Sequence, residues 1–176
     1  MTIQLRKLTI HDREALASMA NNRKIWNFVR DKMPHPYSLE DADRFIAMKK
    51  DQLEDFVFAI DCDSRFSGMI GLHPQGDVYK RSMELGYWIG EDYWGRGIAS
   101  EAVRQILEFG FSLEGINRIF AGVLENNSAS KRVLEKNAFV FEGIARKSAW
   151  KNEELLDEWK YSILKEDYQA KTTKHI

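Results

Sequence analysis

The sequence predicts a single domain of mixed α/β class, on the strength of three observations. Its 176 residues suffice for one substantial core and are too few for two domains of usual size. Hydrophobic residues make up 44% of the chain and charged residues 30%, as in ordinary globular proteins. Segments with strand-like alternation and segments with helical spacing follow one another along the chain, without repeats or a linker.

The N-terminal part is predicted to be mostly helical after one strand. The alternating segment "IQLRKLT", residues 3–9, predicts that strand. Residues 12–30 have helical spacing, and the prolines of "DKMPHPYS" then interrupt it. Ser38 and Asp41 form a capping pattern, which predicts a further helix ending near Lys50.

The remainder is predicted to alternate between strands and helices. The predicted strands are 56–60, 68–72, 83–89, 118–124, 139–143 and 155–164. The predicted helices are 97–111, whose apolar residues fall on one face, and 126–137, with Asn127 or Ser128 as its cap. The second half therefore has a β-α-β-α-β order, and strands close the chain.

The composition argues against several functional classes. The net charge of -1 gives no overall attraction to nucleic acid or to an anionic membrane. The lone Cys62 allows no intramolecular disulfide, as is typical of a reducing compartment. Metal-ligand spacing is absent among His11, His35, His73 and His175. With neither a secretory signal nor a membrane span, we expect a cytoplasmic protein without a metal, nucleic-acid or membrane partner.

The stretch "WGRGIAS", from Trp94 to Ser100, joins a predicted strand to a predicted helix. The first N–H groups of a helix lack intrahelical partners, and the helix dipole favours anions there. Gly95, Gly97 and Ala99 are small in alternation, so a ligand can approach this backbone closely. The stretch fits neither the P-loop nor the dinucleotide fingerprint. Its residues alone therefore leave two interpretations, a different anion site or a turn without a ligand.

The longer segment "ELGYWIGEDYWGRGIASEA" resembles the acyl-CoA pyrophosphate-binding motif of the GNAT acetyltransferase superfamily. That motif, Gln/Arg-x-x-Gly-x-Gly/Ala, reads Trp94-Gly95-Arg96-Gly97-Ile98-Ala99 here, with Trp94 in place of Gln or Arg. This variant resembles the RimJ/RimL branch, which acetylates protein amino termini and related amines. The segments "MPHPYSLEDADRFI", "ENNSASKRVLEKNAFVFEG" and "WKNEELLDEWKYSILKEDY" are similar to other parts of that branch, although Ala138 and Glu153 replace usual glycines.

The resemblance implies the GNAT fold, a central sheet of about six or seven strands flanked by helices on both faces. The sheet would be mostly antiparallel and splayed in a V. Acetyl-CoA is the implied co-substrate, with its pyrophosphate against residues 94–100. Its pantetheine arm would lie in the V beside the backbone of Trp88 and Ile89, where an N–H group would polarise the acetyl oxygen. Asn127 matches a cofactor-contacting asparagine, and a plain helix cap is the alternative.

The resemblance also implies direct attack of an amine on the thioester. Glu84 is the candidate base because it lies on the cofactor strand, and a solvated residue or an anchor for the amine is the alternative. Leu134 stands where many relatives have a tyrosine acid. Ser130 shares the inward helix face with Leu134 and is therefore the candidate donor to the leaving thiolate, unless it only supports the helix start. Lys131 and Arg132 are predicted to be solvated, and contact of one of them with the 3′-phosphate of the cofactor is the alternative.

The sequence gives less information about the acceptor amine than about the cofactor site. The residues implied to lie on the acceptor side are Tyr37, Glu84, Trp150 and Asp157, and core packing explains Trp150 equally well. We expect a protein N-terminal α-amine as acceptor. A small-molecule amine (polyamine, amino sugar or antibiotic) and a non-catalytic acyl-CoA-binding module are the alternatives. The sequence does not fix the oligomeric state and leaves a homodimer open.

Overall fold

The computed structural model describes residues 1–51 and 56–173, which form seven strands and six α-helices. The strands are β1 (Ile3–Arg6), β2 (Phe56–Cys62), β3 (Arg65–Pro74), β4 (Ser82–Ile89), β5 (Arg118–Leu124), β6 (Val140–Lys151) and β7 (Glu154–Leu164). The helices are α1 (Arg13–Ala20), α2 (Arg23–Trp26), α3 (Leu39–Asp51), α4 (Ile98–Ser112), α5 (Ser128–Lys136) and α6 (Lys165–Thr173).

The strands are ordered β1-β2-β3-β4-β5-β7-β6 in one sheet. β1 pairs antiparallel with β2, and β7 pairs antiparallel with both β5 and β6. β4 and β5 run parallel, with α4 as the crossover that parallel neighbours require. The predicted α/β class with a mixed, mostly antiparallel sheet is confirmed.

Backbone contacts divide the described residues into two compact units. The first contains those within Met1–Gly71 and Gly86–Ala102, and the second contains those within Leu72–Leu85 and Val103–Ile176. Strands β3 and β4 and helix α4 contribute residues to both units. The single domain expected from the sequence stays a prediction.

The core of the first unit is formed by α1, α3, β2 and β3. Small residues lie where these elements face one another, which lets the helices approach closely. The buried cluster consists of Leu16, Ala17, Ala20, Tyr37, Ala42, Ile46, Ala59, Phe66 and Met69.

Arg6 connects β1 to two carboxylates of the first unit. Its guanidinium donates to Asp12 at 2.6 and 2.8 Å and to Asp61 at 2.7 Å. Burial acts to raise the pKa of Asp12, but hydrogen bonds from Arg6 and Thr9 outweigh it and lower that pKa below its ordinary value. The resulting stabilisation is therefore present at neutral pH and is lost as the pH falls through the lowered pKa.

The segment predicted to be helical over residues 12–30 forms two helices that together end at Trp26. Helix α1 ends at Ala20, and the side chain of Asn22 accepts a hydrogen bond from the Lys24 N–H at 2.8 Å to cap the short helix α2. The side-chain oxygen of Asn21 accepts from the Tyr37 N–H at 3.0 Å. Two successive asparagines therefore use their side chains to divide the segment.

Two predicted helix caps are confirmed. The Asp41 N–H donates to Ser38 Oγ at 3.1 Å, and the Ser38 N–H donates back to the Asp41 carboxylate at 2.9 Å. Asn127 accepts from the Ser130 N–H at 3.1 Å at the start of α5. Both pairs satisfy N–H groups that have no partner in the helix itself.

The second unit packs α4 and α5 on β5 and β7. Ile119, Ala121 and Val123 alternate as the buried residues of β5. Gly110 of α4 lies so close to this layer that a Cβ there would be 2.8 Å from Ile119 Cδ1. The Tyr161 hydroxyl lies 3.1 Å from Glu135 Oε1 of α5.

The end of the chain differs from the prediction in two ways. β6 extends over twelve residues instead of five, with irregular pairing between Phe141 and Gly143 and between Ala145 and Ala149. The chain does not close on a strand, because α6 follows β7 directly. The ring of Tyr168 on α6 lies 5.2 Å from that of Phe111 on α4. The two residues are far apart in the sequence, so no local pattern predicts this contact.

Gly68 on β3 allows the close approach of β4, so Gly68→Ala should destabilise the protein. A Cβ at Gly68 would lie 2.3 Å from the Trp88 carbonyl oxygen and 3.0 Å from Ile89 Cα, both backbone atoms. We expect a loss of about 2 kcal/mol and a Tm lower by about 4–8 °C for a chain of this length. Thermal unfolding followed by circular dichroism measures this.

Gly76→Ala is the matched control, because no heavy atom lies within 4 Å of a Cβ at Gly76 and its φ of -99° suits alanine. Its Tm should stay close to that of the wild type. Equal Tm values for the two variants would contradict the assignment of Gly68.

Candidate functional site

The loop between β4 and α4 starts with a 3-10 turn at Glu91–Tyr93. The carboxylate of Glu91 pairs with Lys24 and accepts from Asn22 Nδ2 at 2.8 Å. The bonds from Lys24 and then Asn22 hold the pKa of Glu91 below its ordinary value. Helix α2 therefore anchors the start of the loop. Sequence reasoning missed this anchor, since its partners lie some seventy residues apart.

Trp94 closes the loop onto the end of β4. Its indole N–H donates to the Ile89 carbonyl at 2.7 Å, while its ring stays 44% exposed. The residue that departs from the usual Gln or Arg thus has a structural role of its own. It fixes the distance between the strand end and the glycine stretch.

Gly95 and Gly97 adopt left-handed backbone conformations, with φ of 74° and 78°. This conformation favours glycine over residues with a Cβ. No heavy atom lies within 4 Å of the positions that their Cβ atoms would take. The loop therefore presents an exposed backbone that a bulky ligand group can reach.

Helix α4 begins directly after these glycines. Its first ladder bond runs from the Glu101 N–H to the Gly97 carbonyl at 3.1 Å, so the N–H groups of Ile98 and Ala99 precede the ladder. Ser100 follows on the helix and is half-buried. Arg96 is exposed and lies 5.5 Å from the Tyr93 ring centroid, which adds a positive charge to the loop. The start of α4, the open backbone of the loop and the guanidinium of Arg96 together favour the binding of an anion.

Trp88 and Ile89 differ in the direction of their backbone groups. The Trp88 carbonyl faces Gly68 on β3, and its indole packs edge-on against Phe66 at 6.2 Å. Because successive residues of a strand point their backbone groups to opposite sides, those of Ile89 are turned away from β3. The Ile89 carbonyl accepts from Trp94, and the Ile89 N–H points to the same side of the strand.

In the second unit, Glu84 is half-buried and stands at the last pair of the parallel ladder. That ladder consists of Ser82 with Arg118, Met83 with Ile119, and Glu84 with Phe120. β4 continues to Ile89 and β5 to Leu124. Since paired residues share a sheet face, Glu84 and Phe120 lie on the face opposite to the buried Ile119.

Helix α5 carries the other predicted chemical group. Ser130 is half-buried, one turn before the fully buried Leu134 that replaces the tyrosine of many relatives. The side-chain oxygen of Asn127 caps the helix through the Ser130 N–H. The cap role of Asn127 is thus established, and its cofactor contact stays a prediction together with the thiolate role of Ser130.

Lys131 is not the solvated residue that the sequence predicted. Its ammonium lies 3.3 Å from the centroid of the Trp159 ring and donates to the Glu125 carbonyl at 2.8 Å. A cation–π contact and a hydrogen bond therefore hold this side chain against the sheet. The neighbouring Arg132 is exposed, as predicted.

Of the predicted acceptor residues, Tyr37 lies in the first unit. It is 7% exposed and borders an open depression of about 380 Å³, lined also by Glu14, Ala17, Ser18, Asn21 and Leu39. Burial, together with the nearby Asp41, raises the pKa of Tyr37 to about 12. The phenol is therefore protonated at neutral pH and acts there as a neutral group.

Trp150 and Asp157 lie in the second unit. Trp150 is 63% exposed, so the alternative of core packing for it was wrong. Asp157 accepts from the Lys147 N–H at 2.8 Å, where Lys147 has a φ of 49° in the irregular part of β6. The register of β7 places Asp157 on the sheet face opposite to that of Glu84. Acceptor binding by either residue stays a prediction.

Within residues 1–51 and 56–173, no helix is long and apolar enough to cross a membrane. In the same part of the chain, no three His, Cys, Asp or Glu side chains are placed to hold a metal ion. Cys62 is buried at the end of β2.

The sequence is similar to one family of proteins. The family profile described as "Acetyltransferase (GNAT) domain" matches residues 2–140. YjcK of Bacillus subtilis, named a probable N-acetyltransferase, is 32% identical over 167 residues, covering 88% of this chain and 92% of YjcK. YoaA of the same organism, named an uncharacterized N-acetyltransferase, is 39% identical over 98 residues, 56% of this chain and 55% of YoaA.

YdaF, also of Bacillus subtilis and provisionally named a ribosomal N-acetyltransferase, is 33% identical over 108 residues. This match covers 61% of this chain and 58% of YdaF. The chain thus matches little more than half the length of YoaA and YdaF.

The fold is similar to that of solved structures. RimL, a ribosomal L7/L12 α-N-protein acetyltransferase in complex with coenzyme A, matches with a TM-score of 0.83 at 20% identity over 96% of each chain. The spermidine N-acetyltransferase of Vibrio cholerae, in complex with CoA and spermine, matches with a TM-score of 0.81 at 22% identity, over 95% of this chain and 98% of that one. At these identities the likeness shows the fold alone.

Proposed function

Because the chain belongs to the GNAT acetyltransferase domain family, we propose that it transfers the acetyl group of acetyl-CoA directly to a primary amine. The observation that carries this proposal is the loop between β4 and α4. Its two left-handed glycines leave an open, exposed backbone at the start of a helix, next to the guanidinium of Arg96. This arrangement suits a doubly charged pyrophosphate better than a neutral ligand.

The residues present fit acetyl-CoA. Residues 94–100 would hold the pyrophosphate, because a Cβ at Gly95 or Gly97 would occupy the space that the loop leaves open. When bound, acetyl-CoA supplies an acetyl group activated as a thioester. The backbone beside Trp88 and Ile89 is the proposed source of the N–H that polarises the acetyl oxygen. Asn127 and Ser130 are the predicted contacts from α5.

Glu84 and Ser130 divide the proton transfers in this proposal. An ammonium group has no lone pair and cannot attack, so Glu84 takes a proton from the acceptor, directly or through water. The Ser130 hydroxyl donates to the sulfur as negative charge develops on it. Leu134 has no proton to give. The amine itself forms the new bond, with no covalent intermediate on the protein.

A protein N-terminal α-amine is the proposed acceptor, in the manner of the RimJ/RimL branch. An α-amine with a pKa of about 8 is neutral roughly 10% of the time at pH 7, whereas a lysine amine with a pKa of about 10.4 is neutral only ~0.04% of the time. Deprotonation by Glu84 is therefore less unfavourable for an α-amine than for a lysine amine. The provisional name of YdaF supports this choice, and the proposed place of action is the cytoplasm.

A polyamine is the second candidate acceptor. The spermidine N-acetyltransferase of Vibrio cholerae, which shares this fold, holds spermine, and this is the reason for testing a polyamine. A polyamine carries several ammonium groups and would gain from every carboxylate near the reacting amine. A panel of both kinds of amine therefore separates the two candidates.

Amine-dependent release of thiol from acetyl-CoA tests the proposed activity. The panel contains spermidine and peptides with free N-terminal serine, alanine or methionine, and mass spectrometry locates the added acetyl group. We expect thiol release with the peptides and acetylation of their α-amines. Tight acetyl-CoA binding without amine-dependent release would identify a non-catalytic binding module instead.

Gly97→Asp should weaken acetyl-CoA binding more than Gly97→Asn does. Both variants add a side chain of similar size at the same left-handed φ, and both residue types tolerate that conformation. Only Asp adds a negative charge against the pyrophosphate. Calorimetric titration should give a Kd about tenfold higher for Asp than for Asn at low salt.

Added salt should narrow this difference, because screening weakens the repulsion between charges near the surface. If the folded Asn and Asp variants bind acetyl-CoA with equal affinity, the pyrophosphate does not lie against this loop.

Glu84→Gln should lower kcat by about 10²–10⁴-fold near pH 7, the usual range for general-base catalysis. Glutamine keeps the shape of the side chain and removes its basicity. The loss should shrink as the pH rises, because solvent then deprotonates the amine. The measurement is kcat and KM against pH with an amine from the panel.

Glu108→Gln is the matched control, because it removes an exposed carboxylate of α4 that pairs with Arg104. Its kcat should equal that of the wild type. An anchor for the amine would instead give a raised KM with little change in kcat. A kcat of Glu84→Gln within about threefold of wild type at pH 7, with chemistry limiting the rate, lies below the general-base range and excludes Glu84 as the base.

A further inference from the structure

The carboxylate of Glu158 on β7 occupies the space above Gly122 on β5. A Cβ at Gly122 would lie 2.0 Å from Oε1 and 2.5 Å from Cδ of Glu158. Any other residue at position 122 would therefore displace this carboxylate. The two strands are direct neighbours, with Gly122 opposite Lys160 and Leu124 opposite Glu158.

The register places this carboxylate on the sheet face of Glu84. Glu84 pairs with Phe120, and Gly122 lies two residues further along the same strand, on the same face. The spacing within and between strands then puts the position above Gly122 about 8 Å from the Glu84 Cα. The Glu84 side chain can extend over part of that distance towards the Glu158 carboxylate. The two carboxylates can then both contact one amine that lies between them.

Helices α4 and α5 contact the other face of these strands. Gly110 of α4 lies against Ile119, and Glu135 of α5 bonds to Tyr161. Ile119 and Tyr161 both belong to the face opposite to Glu84 and Glu158. The two carboxylates therefore lie on the face that α4 and α5 leave uncovered within the second unit.

Lys160 supplies the positive partner of Glu158. Its ammonium pairs with Glu158 Oε2, and the two side chains are 41% and 22% exposed. A partly buried carboxylate is attracted to a cation close by. The more exposed lysine holds its place only weakly, since ion pairs in contact with water contribute little. An incoming ammonium group can take over the same carboxylate.

We propose that Glu158 binds the ammonium group of the acceptor amine, and that Lys160 occupies this position in the protein alone. The inference rests on the proposed acetyl transfer and assigns its cationic acceptor to the face shared with Glu84. Glu158 holds the amine by charge, and Glu84 removes its proton. Gly122 keeps the position open for the carboxylate.

This assignment predicts opposite effects for the two members of the ion pair. Glu158→Gln removes the binding charge and should raise KM for the amine about tenfold. Lys160→Met replaces the competing cation with an uncharged side chain of similar length. It should lower KM for the amine about threefold. A purely structural ion pair would give changes of the same sign, because each variant breaks the same contact.

Gly122→Ala tests the position without altering any charge. The added Cβ meets the end of a flexible side chain, so Glu158 should swing aside while the strands stay paired. KM should rise about tenfold, as in Glu158→Gln. This variant decides the question if Glu158→Gln folds poorly.

The kinetic experiment measures kcat and KM for spermidine and for a peptide with a free N-terminal serine. We expect kcat within about threefold of the wild-type value in all three variants. A residue that binds the substrate and the transition state equally well changes KM and leaves kcat almost unchanged. The control Glu108→Gln should leave both constants unchanged. An unchanged KM in both Glu158→Gln and Gly122→Ala would overturn the assignment.

A binding experiment keeps the inference separate from the proposed activity. Spermidine is titrated into the ¹⁵N-labelled protein, and the amide signals of Phe120 and Gly122 are followed by NMR. Saturable shifts in the wild type that weaken in Glu158→Gln and strengthen in Lys160→Met support the site. Identical titrations in all three proteins exclude it. An enzyme inactive on every amine that still shows these differences would refute the acetyl transfer alone.

Discussion

The loop between β4 and α4 is fixed from several sides by bonds that involve no ligand. The indole of Trp94 bonds to the Ile89 carbonyl, and Glu91 is held by Lys24 and Asn22. Helix α4 continues the chain from Gly97. Between these points the left-handed glycines hold the backbone open. A loop that is ordered beforehand loses less entropy when a ligand binds, so these contacts support the affinity of the proposed pyrophosphate site.

In the second unit, the equivalent constraint is the register of β4, β5 and β7. A shift of one residue in any of these strands would exchange the two faces of the sheet. The observed register places Glu84 and Glu158 on one face and Asp157 on the other. The proposed division of roles between these carboxylates therefore rests on strand pairing and not on the order of residues along the chain.

Charged side chains of the second unit show how a local pattern can mislead. Lys131 has the helical position of a solvated residue, yet its ammonium lies on the Trp159 ring. Glu158 has the position of an ordinary strand glutamate, yet its carboxylate fills the space above a glycine. In both cases a contact with a different element sets the place of the charge, namely the Trp159 ring for Lys131 and the space above Gly122 for Glu158. These contacts join residues far apart in the sequence, so no local pattern around either charge predicts them.

The sequence by itself determined the α/β class, most strands, both helix caps and the glycine loop. These features depend on residues within about four positions of one another, through alternation, capping and backbone freedom. Only the tertiary structure decided the break at Asn21, the bonds of Glu91 to helix α2, the closing helix α6 and the face of each carboxylate. Those features depend on which distant segments meet, because a polar side chain takes the donor or acceptor that packing brings within reach.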